Sequence, residues 1–183
     1  MTKKVIAPAT VLHPTPAIMA TTGDIDGARS IITLAWAGTV CSDPPMVAIG
    51  VRPSRYSYEL LKKTGEFVVN LPTTKEAWAM DFCGQVSGRD GDKFARAGLT
   101  PERAAKVKAP LIKECPVSIE CVVRHTYMAG SHEVFIGEVV AVDVDEERTE
   151  NGALKAGEAI AYLQRNYYSL NGKVGDHGFS LKK

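Results

Sequence analysis

Residues 115–144 read CPVSIECVVRHTYMAGSHEVFIGEVVAVDV. Two runs in this stretch, Cys115 to Arg124 and Glu133 to Val144, are rich in β-branched residues, and Gly130 lies in the connection between them. β-Branched side chains pack well on a pleated sheet, and glycine accepts the backbone angles that tight turns require. The stretch therefore predicts two long strands and indicates a protein built mainly from β-structure.

Strand signals also dominate the first third of the chain. Extended runs at Ala17 to Thr22 and Ile31 to Ala37 are separated by the turn-forming residues 23–27, and together they predict a hairpin. Residues 43–45 are Asp-Pro-Pro, which predicts an extended corner because a residue before proline avoids the α region. Met46 to Val51 is nearly all apolar and predicts a strand covered on both faces.

Two short helices are predicted between the strands. Tyr56 to Lys63 is a helix candidate, and Gly65 is placed to end it in the left-handed conformation. Thr73 and Glu76 have the spacing of a capping box, which predicts a second helix running toward Phe82.

The order of these elements predicts the architecture. Strands follow one another without regular helical crossovers, which disfavours a doubly wound parallel sheet. We therefore expect a mainly β fold, a predominantly antiparallel barrel with short peripheral helices, formed by a single domain over residues 1–183. Residues 158–183 are expected to form a C-terminal arm, in which Glu158 to Leu170 is compatible with a helix or with an irregular segment.

Composition and charge exclude few functions but disfavour several. Lys plus Arg is 22 and Asp plus Glu is 21, so the formal net charge is +1, which disfavours nucleic-acid and anionic-membrane partners. The longest charge-free apolar run, Ile31 to Cys41, is far shorter than the roughly 20 residues of a membrane-spanning helix. We therefore expect a cytoplasmic protein with neither nucleic acid nor a membrane as a partner.

The cysteines and histidines show no spacing typical of a metal site or a redox disulfide motif. No metal centre is therefore expected. Cys115 and Cys121 fall on the same side of an alternating run and are interpreted as buried free thiols.

The residues just before the first predicted helix form one candidate binding site. They are Arg52, Ser54, Arg55 and Ser57. A helix N-terminus offers unpaired backbone N–H groups and the positive end of the helix dipole, so guanidinium and hydroxyl groups beside it favour a phosphate. In the alternative interpretation, Ser54 or Ser57 caps the helix and the arginines are solvated. Residue type alone does not decide between the two.

Three further candidates are weaker when each is taken alone. They are the strand end Thr33, Leu34, Ala35 and Trp36, which leads to Cys41 and Ser42; Lys93, which follows a glycine-containing loop; and His132, which opens the second long strand. The strand end can border a flat heterocycle, and Lys93 can reach a phosphate or a developing negative charge. Without further context, Trp36 is more typical of a core, Lys93 of a surface and His132 of a structural position.

In this order and spacing, the candidates resemble the flavin reductase-like proteins, and in particular their flavoredoxin-type branch. The blocks that carry the resemblance are Ile31–Trp36, Ser42–Pro45, Thr64–Asn70, Ser87–Phe94 and Gly130–Val139. The resemblance covers Pro14 to Leu170. It implies an antiparallel split barrel that binds FMN non-covalently, usually as a homodimer with the flavins near the subunit interface.

The resemblance also implies roles for individual residues. Those implied to bind the cofactor are Ser30, Thr33, Leu34, Ala35, Trp36, Cys41, Ser42, Arg52, Ser54, Arg55, Ser57, Lys93 and His132. Of these, Ser54, Arg55 and Ser57 are assigned to the phosphate, and the strand end with Ser42 to the flavin ring. Lys93 and His132 are in addition assigned catalytic roles, because they would stabilise negative charge on reduced flavin.

Two positions depart from the family pattern. Ser30 stands where asparagine is frequent, which puts the corresponding flavin contact in doubt. Ser131 stands where aspartate often precedes the histidine, and an anion there would favour the imidazolium form of His132. At the ring-bordering corner, Cys41 has no second cysteine close in sequence, so an inert thiol is expected rather than a redox partner of the flavin.

The implied activity is that of an oxidoreductase. A hydride passes from NADH or NADPH to bound FMN, and the electrons continue to an acceptor, which can be another protein. One alternative is an electron-transfer protein that holds FMN without its own nicotinamide turnover, since the chain contains no recognisable dinucleotide motif. Another is a dimeric scaffold with a degenerate flavin site, which the two departures favour.

Overall fold

The computed structural model describes residues 1–155, 157–170 and 172–173. Its strands are β1 (Thr15–Pro16), β2 (Ile18–Gly23), β3 (Arg29–Leu34), β4 (Ala37–Ser42), β5 (Pro45–Val51), β6 (Glu66–Leu71), β7 (Pro101–Glu102), β8 (Leu111–Ile112), β9 (Val117–Ala129), β10 (His132–Val144), β11 (Thr149–Glu150), β12 (Ala153–Leu154), β13 (Ile160–Leu163) and β14 (Asn166–Ser169). Its helices are α1 (Tyr56–Thr64), α2 (Ala77–Gln85) and α3 (Lys93–Ala97), with 3₁₀ helices at Thr74–Glu76 and Gly88–Asp90. The mainly β fold expected from the sequence is confirmed.

The main sheet curls into a split barrel. Its seven antiparallel strands have the order β3-β2-β6-β9-β10-β5-β4, which puts β3 and β4 at opposite edges. In a flat sheet these edges would be about 29 Å apart, because six gaps of about 4.8 Å separate them. Yet only Ala35 and Trp36 connect Leu34 to Ala37, a span of at most about 11 Å. The sheet must therefore curve until its two edges meet at this bend.

The bend corrects one prediction. The strand expected over Ile31 to Ala37 ends at Leu34, and the chain then turns into β4, where Ala37 pairs with Ile49 of β5. The Trp36 carbonyl accepts a hydrogen bond from the Gly50 backbone N–H at 2.8 Å. Pairing with β5 at the other edge is thus what interrupts the predicted strand.

The remaining strand and helix predictions are confirmed with changed ends. β9 and β10 form a hairpin that is longer than predicted, since β9 continues to Ala129 before the turn at Gly130 (φ 64°). Helix α1 ends at Gly65 in the left-handed conformation (φ 68°). Thr73 and Glu76 form the capping box, and the Thr73 backbone N–H donates to Glu76 Oε2 at 2.9 Å.

Alternating side chains of β2 and β3 build two cores. On one face, Ile18 and Ile32 pack inside the barrel with Phe67 and Phe135. On the other face, residues of the same strands pack against α2 and α3. This second core contains Met19, Ile31, Met80, Cys83 and Phe94. Burial on both faces explains why these strands lack a polar face in the sequence.

The segment Glu158 to Leu170 is neither a helix nor an irregular arm. It contains the hairpin β13–β14, and β13 also pairs with β1. Tyr162 packs across the hairpin on Tyr167, with ring centroids 5.9 Å apart, and this contact stabilises the hairpin. The hairpin was not predicted because each strand has only four residues, too few for an alternating pattern to be recognised in the sequence. Residue 171 and residues 174–183 of the predicted arm lie outside the described residues.

Cys115 and Cys121 are buried free thiols, as predicted, although Cys115 precedes β9 rather than lying in it. Within the described residues, no helix is long and apolar enough to cross a membrane. The same part of the chain contains no group of three metal-ligating His, Cys, Asp or Glu side chains. The cytoplasmic location stays a prediction.

A buried carboxylate was not found from the sequence. Glu120 of β9 is fully buried, and its oxygens accept hydrogen bonds from the backbone N–H groups of Ala105, Lys106 and Val107 at 2.7, 2.7 and 3.0 Å. These bonds fasten the irregular segment after β7 to the barrel. Burial, followed by the effect of Glu120, raises the pKa of the neighbouring Asp143 to about 6.

Replacing Asp143 by Asn is expected to stabilise the protein at pH 7.5 but not at pH 4. The raised pKa means that the native state holds the Asp143 proton more tightly than the unfolded state, so stability falls as pH rises from about 4 to about 6. Asparagine does not titrate, so the variant does not lose this stability as pH rises. The free energies of unfolding of the wild type and the variant in urea at the two pH values measure the difference, with the exposed Glu146→Gln as a charge-matched control. Equal stabilisation at both pH values would contradict the assignment.

Candidate functional site

A large cleft lies where the β3–β4 bend, the C-terminal end of α2 and the β13–β14 hairpin meet. Its volume is about 650 Å³. The residues that line it are Ile32, Thr33, Leu34, Ala35, Trp36, Gly50, Arg52, Arg55, Asp81, Gly84, Gln85, His132, Tyr162, Arg165 and Tyr167. We call this volume the wide end.

A smaller volume of about 200 Å³ continues the cleft toward α1. It is lined by Ser30, Ile32, Ser54, Arg55, Tyr56, Ser57, Cys83, Gly84, Val86, Ser87, Gly88 and Lys93. Ile32, Arg55 and Gly84 line both volumes, so the two adjoin, and we refer to them together as the cleft. We call the smaller volume the narrow end.

The N-terminus of α1 forms one wall of the narrow end. Arg55 is the N-cap residue, in an extended conformation, and no side chain among the described residues caps the helix. The alternative in which Ser54 or Ser57 caps the helix is therefore wrong. Ser57 is nevertheless buried, and Ser54, Arg55 and Ser57 all line the narrow end. This is the donor set that a phosphate requires.

Lys93 forms the floor of the narrow end. Its side chain is buried, and Nζ donates hydrogen bonds to the carbonyl oxygens of Ile31 and Cys83, both at 2.7 Å. The ammonium thus joins β3 to α2. Burial lowers the pKa of Lys93 to about 8. Asp92 caps α3 and pairs with Arg29 at 3.2 Å, which places Lys93 at the start of that helix.

Gly88 is required where the loop passes over β3. A β-carbon built on Gly88 would lie 2.5 Å from Ser30 Oγ and 2.7 Å from Tyr56 Cδ1. Real β-carbons do not approach other atoms so closely, so any larger residue would push the loop away or displace Ser30 and Tyr56. The close approach of Gly88 to Ser30 and Tyr56 shapes the narrow end, and a β-carbon on Gly88 would partly fill that volume.

The wide end presents aromatic and imidazole groups. Trp36 packs edge-on against Tyr162 with ring centroids 6.4 Å apart. His132 Nδ1 lies 2.9 Å from Ser131 Oγ, so the serine that replaces the usual aspartate still contacts the ring. Burial, followed by the positive charge of Arg52, lowers the pKa of His132. The imidazole is therefore held in its neutral form at neutral pH.

The structure brings most of the sequence candidates together, in two groups. Ser30, Ser54, Ser57 and Lys93 line the narrow end, Thr33, Leu34, Ala35, Trp36, Arg52 and His132 line the wide end, and Arg55 lines both. Lys93 and His132 thus lie at different ends of the cleft. Their shared catalytic assignment, stabilising negative charge on reduced flavin, stays a prediction. Cys41 and Ser42 line neither end, because they lie on β4, where Cys41 Sγ donates to the Asp43 carbonyl oxygen at 3.4 Å.

Several lining residues were missed from the sequence. They are Tyr56, Asp81, Gly84, Gln85, Gly88, Tyr162, Arg165 and Tyr167. Gly88 carried a usable signal, since glycine in a polar loop often marks a close backbone approach. Tyr162, Tyr167 and Arg165 carried none, because their contribution depends on the β13–β14 hairpin that the sequence pattern does not show.

Comparison with known proteins places this geometry in a family. A family model, the flavin reductase like domain, matches residues 10–171. The chain belongs to the flavin reductase-like family. The resemblance noted in the sequence is thereby confirmed, and membership places the protein among the flavin-binding oxidoreductases.

Individual relatives agree with the family. Flavoredoxin of Desulfovibrio vulgaris (Miyazaki F) is 33% identical, with 100% of both chains covered and a TM-score of 0.89. Flavoredoxin from Methanosarcina acetivorans is 26% identical, covering 98% of this chain and 100% of its own, with a TM-score of 0.88. A flavin reductase of Pseudomonas putida is 28% identical over 74% of this chain and 76% of its own.

Proposed function

We propose that this flavin reductase-like protein binds FMN non-covalently in the cleft, accepts hydride from NADH or NADPH onto it, and passes the electrons to an acceptor. The observation that carries the proposal is a pair of adjoining volumes, a narrow end lined by cationic and hydroxyl-bearing residues and a wide end lined by aromatic ones. FMN has the same polarity, with a phosphate at one end and a flat ring system at the other. The residues present therefore fit the cofactor.

The narrow end would hold the phosphate. Arg55 supplies a guanidinium at the N-terminus of α1, and Ser54 and Ser57 supply hydroxyl donors. The helix dipole adds to their attraction for an anion. Lys93 acts on the phosphate pocket by holding β3 and α2 together, because its ammonium already donates to two backbone carbonyls.

The wide end would orient the ring and the groups that react with it. When bound, FMN supplies the hydride-accepting chemistry. Trp36 and Tyr162 exclude water from one side of the ring pocket. Ser131 Oγ holds the His132 ring in place through its contact with Nδ1. In the tautomer in which Nδ1 accepts from the serine, Nε2 carries the proton and can donate it to a ligand.

A second candidate function is electron transfer without nicotinamide turnover. The observation that favours it is the likeness to two flavoredoxins, which cover 100% and 98% of this chain. In that function the cleft would hold FMN as described, and electrons would enter and leave through protein partners.

A visible absorption spectrum before and after anaerobic addition of NADH or NADPH tests both candidates. Bound flavin that bleaches with either nucleotide supports the oxidoreductase proposal. Bound flavin that stays oxidised points to the electron carrier. If the purified protein contains no flavin and does not bind added FMN, both candidates are wrong and only a scaffold remains.

We also propose that the protein is a homodimer. Trp36, Val40, Tyr127 and Met128 are exposed apolar side chains near a hollow of about 320 Å³ that shares Trp36 and His132 with the wide end. A second copy covering this face would shield one side of the cleft. Val40→Glu is therefore expected to give monomers in light-scattering measurements, whereas an exposed control, Glu146→Gln, is not. A wild-type monomer would overturn this proposal.

A further inference from the structure

The arginines of the chain divide into two classes by their partners. Five of the nine form ion pairs with carboxylates: Arg29, Arg89, Arg103, Arg124 and Arg148. A sixth, Arg96, donates to the Asp90 carbonyl oxygen at 3.3 Å. Within the described residues, the guanidinium groups of Arg52, Arg55 and Arg165 have neither kind of partner, and these are the three arginines that line the wide end.

The cleft therefore contains more arginines than are needed to bind the single phosphate of FMN. Arg55 also lines the narrow end and lies at the N-terminus of α1, where the cofactor phosphate is proposed to bind. Arg52 and Arg165 line only the wide end. Among the lining residues in the described part of the chain, the single carboxylate is that of Asp81, which accepts a hydrogen bond from Tyr167 at 3.1 Å. The wide end is therefore suited to a second, anionic ligand.

The backbone at Arg165 is a second and independent observation. Leu163 pairs with Asn166 across the β13–β14 hairpin, so Gln164 and Arg165 form a two-residue turn, with φ of 48° and 68°. Two-residue turns with positive φ at both positions strongly prefer Asn-Gly, because side chains with a β-carbon are strained there. Residues kept in such conformations cluster at ligand sites. The strain is tolerated at a position whose side chain lines the cleft.

The hairpin that carries Arg165 is itself held in place. The Tyr167 hydroxyl donates to Asp81 of α2, and Tyr162 packs on both Tyr167 and Trp36. These contacts fix the turn beside the wide end. Aromatic residues and arginines thus line the same volume, an arrangement that suits a ligand with both a flat heterocycle and phosphates.

We propose that Arg165, together with Arg52, binds the phosphate groups of the dinucleotide co-substrate, while Tyr162 contacts one of its bases. This assignment rests on the proposed oxidoreductase function and names the residues of its second ligand. The phosphates concerned are the 2′-phosphate of NADP or the pyrophosphate shared by NAD and NADP. The two sources are distinguished by comparing the two nucleotides.

The test measures binding of NADP⁺ and NAD⁺ to the FMN-loaded protein by titration calorimetry, together with FMN affinity and the melting temperature of the apoprotein. Arg165→Gly removes the guanidinium and also relieves the turn. Dinucleotide affinity is expected to fall about tenfold, as for loss of one charge-assisted contact, while FMN affinity is unchanged and the melting temperature rises by a few degrees. A merely structural role would not combine a more stable protein with weaker binding.

Gln164→Gly is the matched control, because it relieves the same turn and leaves both arginines in place. It is expected to raise the melting temperature without changing dinucleotide affinity. A loss for NADP⁺ alone assigns Arg165 to the 2′-phosphate, and equal losses for both nucleotides assign it to the pyrophosphate.

Three outcomes overturn the inference. In one, Arg165→Gly leaves dinucleotide affinity unchanged. In another, FMN affinity falls by the same factor, which would assign Arg165 to the cofactor. In the third, Gln164→Gly weakens binding equally, which would assign the effect to the hairpin backbone. All three leave the proposed function intact. If the wild-type protein binds neither nucleotide, the nicotinamide step of the proposed function fails as well.

Discussion

Replacing Arg55 by alanine is expected to weaken FMN binding about 10- to 100-fold. A hydrogen bond to a charged group contributes about 1.5–3 kcal/mol, and each 1.4 kcal/mol is about tenfold in affinity. Arg55 combines a guanidinium with the N-cap position of α1, and both attract the phosphate. Titration of the apoprotein with FMN, followed by quenching of flavin fluorescence, measures the change.

Riboflavin makes this test specific, because it has the ring but not the phosphate. Its affinity should be nearly the same for the wild type and for Arg55→Ala. Arg124→Ala serves as the matched variant, since Arg124 pairs with Glu138 at 2.7 Å and lines neither end of the cleft. Equal losses for FMN and riboflavin would show that Arg55 shapes the cleft instead of holding the phosphate.

Replacing Gly137 by alanine is expected to destabilise the protein by about 3 kcal/mol, near the upper end of the usual effect of overpacking a core. A β-carbon at this position would lie 2.6 Å from Phe67 Cε1 and 2.9 Å from Cys121 Cβ. Both neighbours are fully buried, so neither can move into solvent. The free energy of unfolding in urea measures the loss.

Gly38 provides the control within the same sheet. A β-carbon on Gly38 would have no atom within 4 Å, and its strand β4 forms the barrel edge at the bend. Gly38→Ala should therefore change the free energy of unfolding by less than about 1 kcal/mol. If the two alanine variants lost similar stability, the effect would come from the glycine backbone and not from the contact with Phe67.

Local sequence signals were sufficient for several strands of the main sheet and for helices α1 and α2. The capping box at Thr73 and the left-handed ending at Gly65 were predictable because each depends on residues adjacent in sequence. Predicted boundaries were wrong where a distant partner decides them. β3 ends at Leu34 because Ala37 pairs with Ile49, and β9 continues to Ala129 because His132 extends the ladder.

The candidate site shows the same division. Arg55 and Ser57 could be recognised beside a predicted helix, and the family resemblance added Trp36, Lys93 and His132 to the same site. The resemblance also assigned Cys41 and Ser42 to the flavin; the structure places them on β4 and not among the residues that line the cleft, so their assignment stays a prediction. Arg165 was not a candidate, because its role depends on the geometry of a turn.

The sequence by itself determined several strands of the main sheet, helices α1 and α2, the family, and the chemical types of the groups available to a cofactor. Periodicity, capping and turn chemistry act over a few residues, so they can be read along the chain. Only the tertiary structure decided which of those groups meet. Curling of the sheet brings together two edge strands that are six strand spacings apart in the sheet. Burial of Lys93 makes a residue expected at the surface into a link between β3 and α2. Such contacts depend on packing between distant segments, which no local pattern encodes.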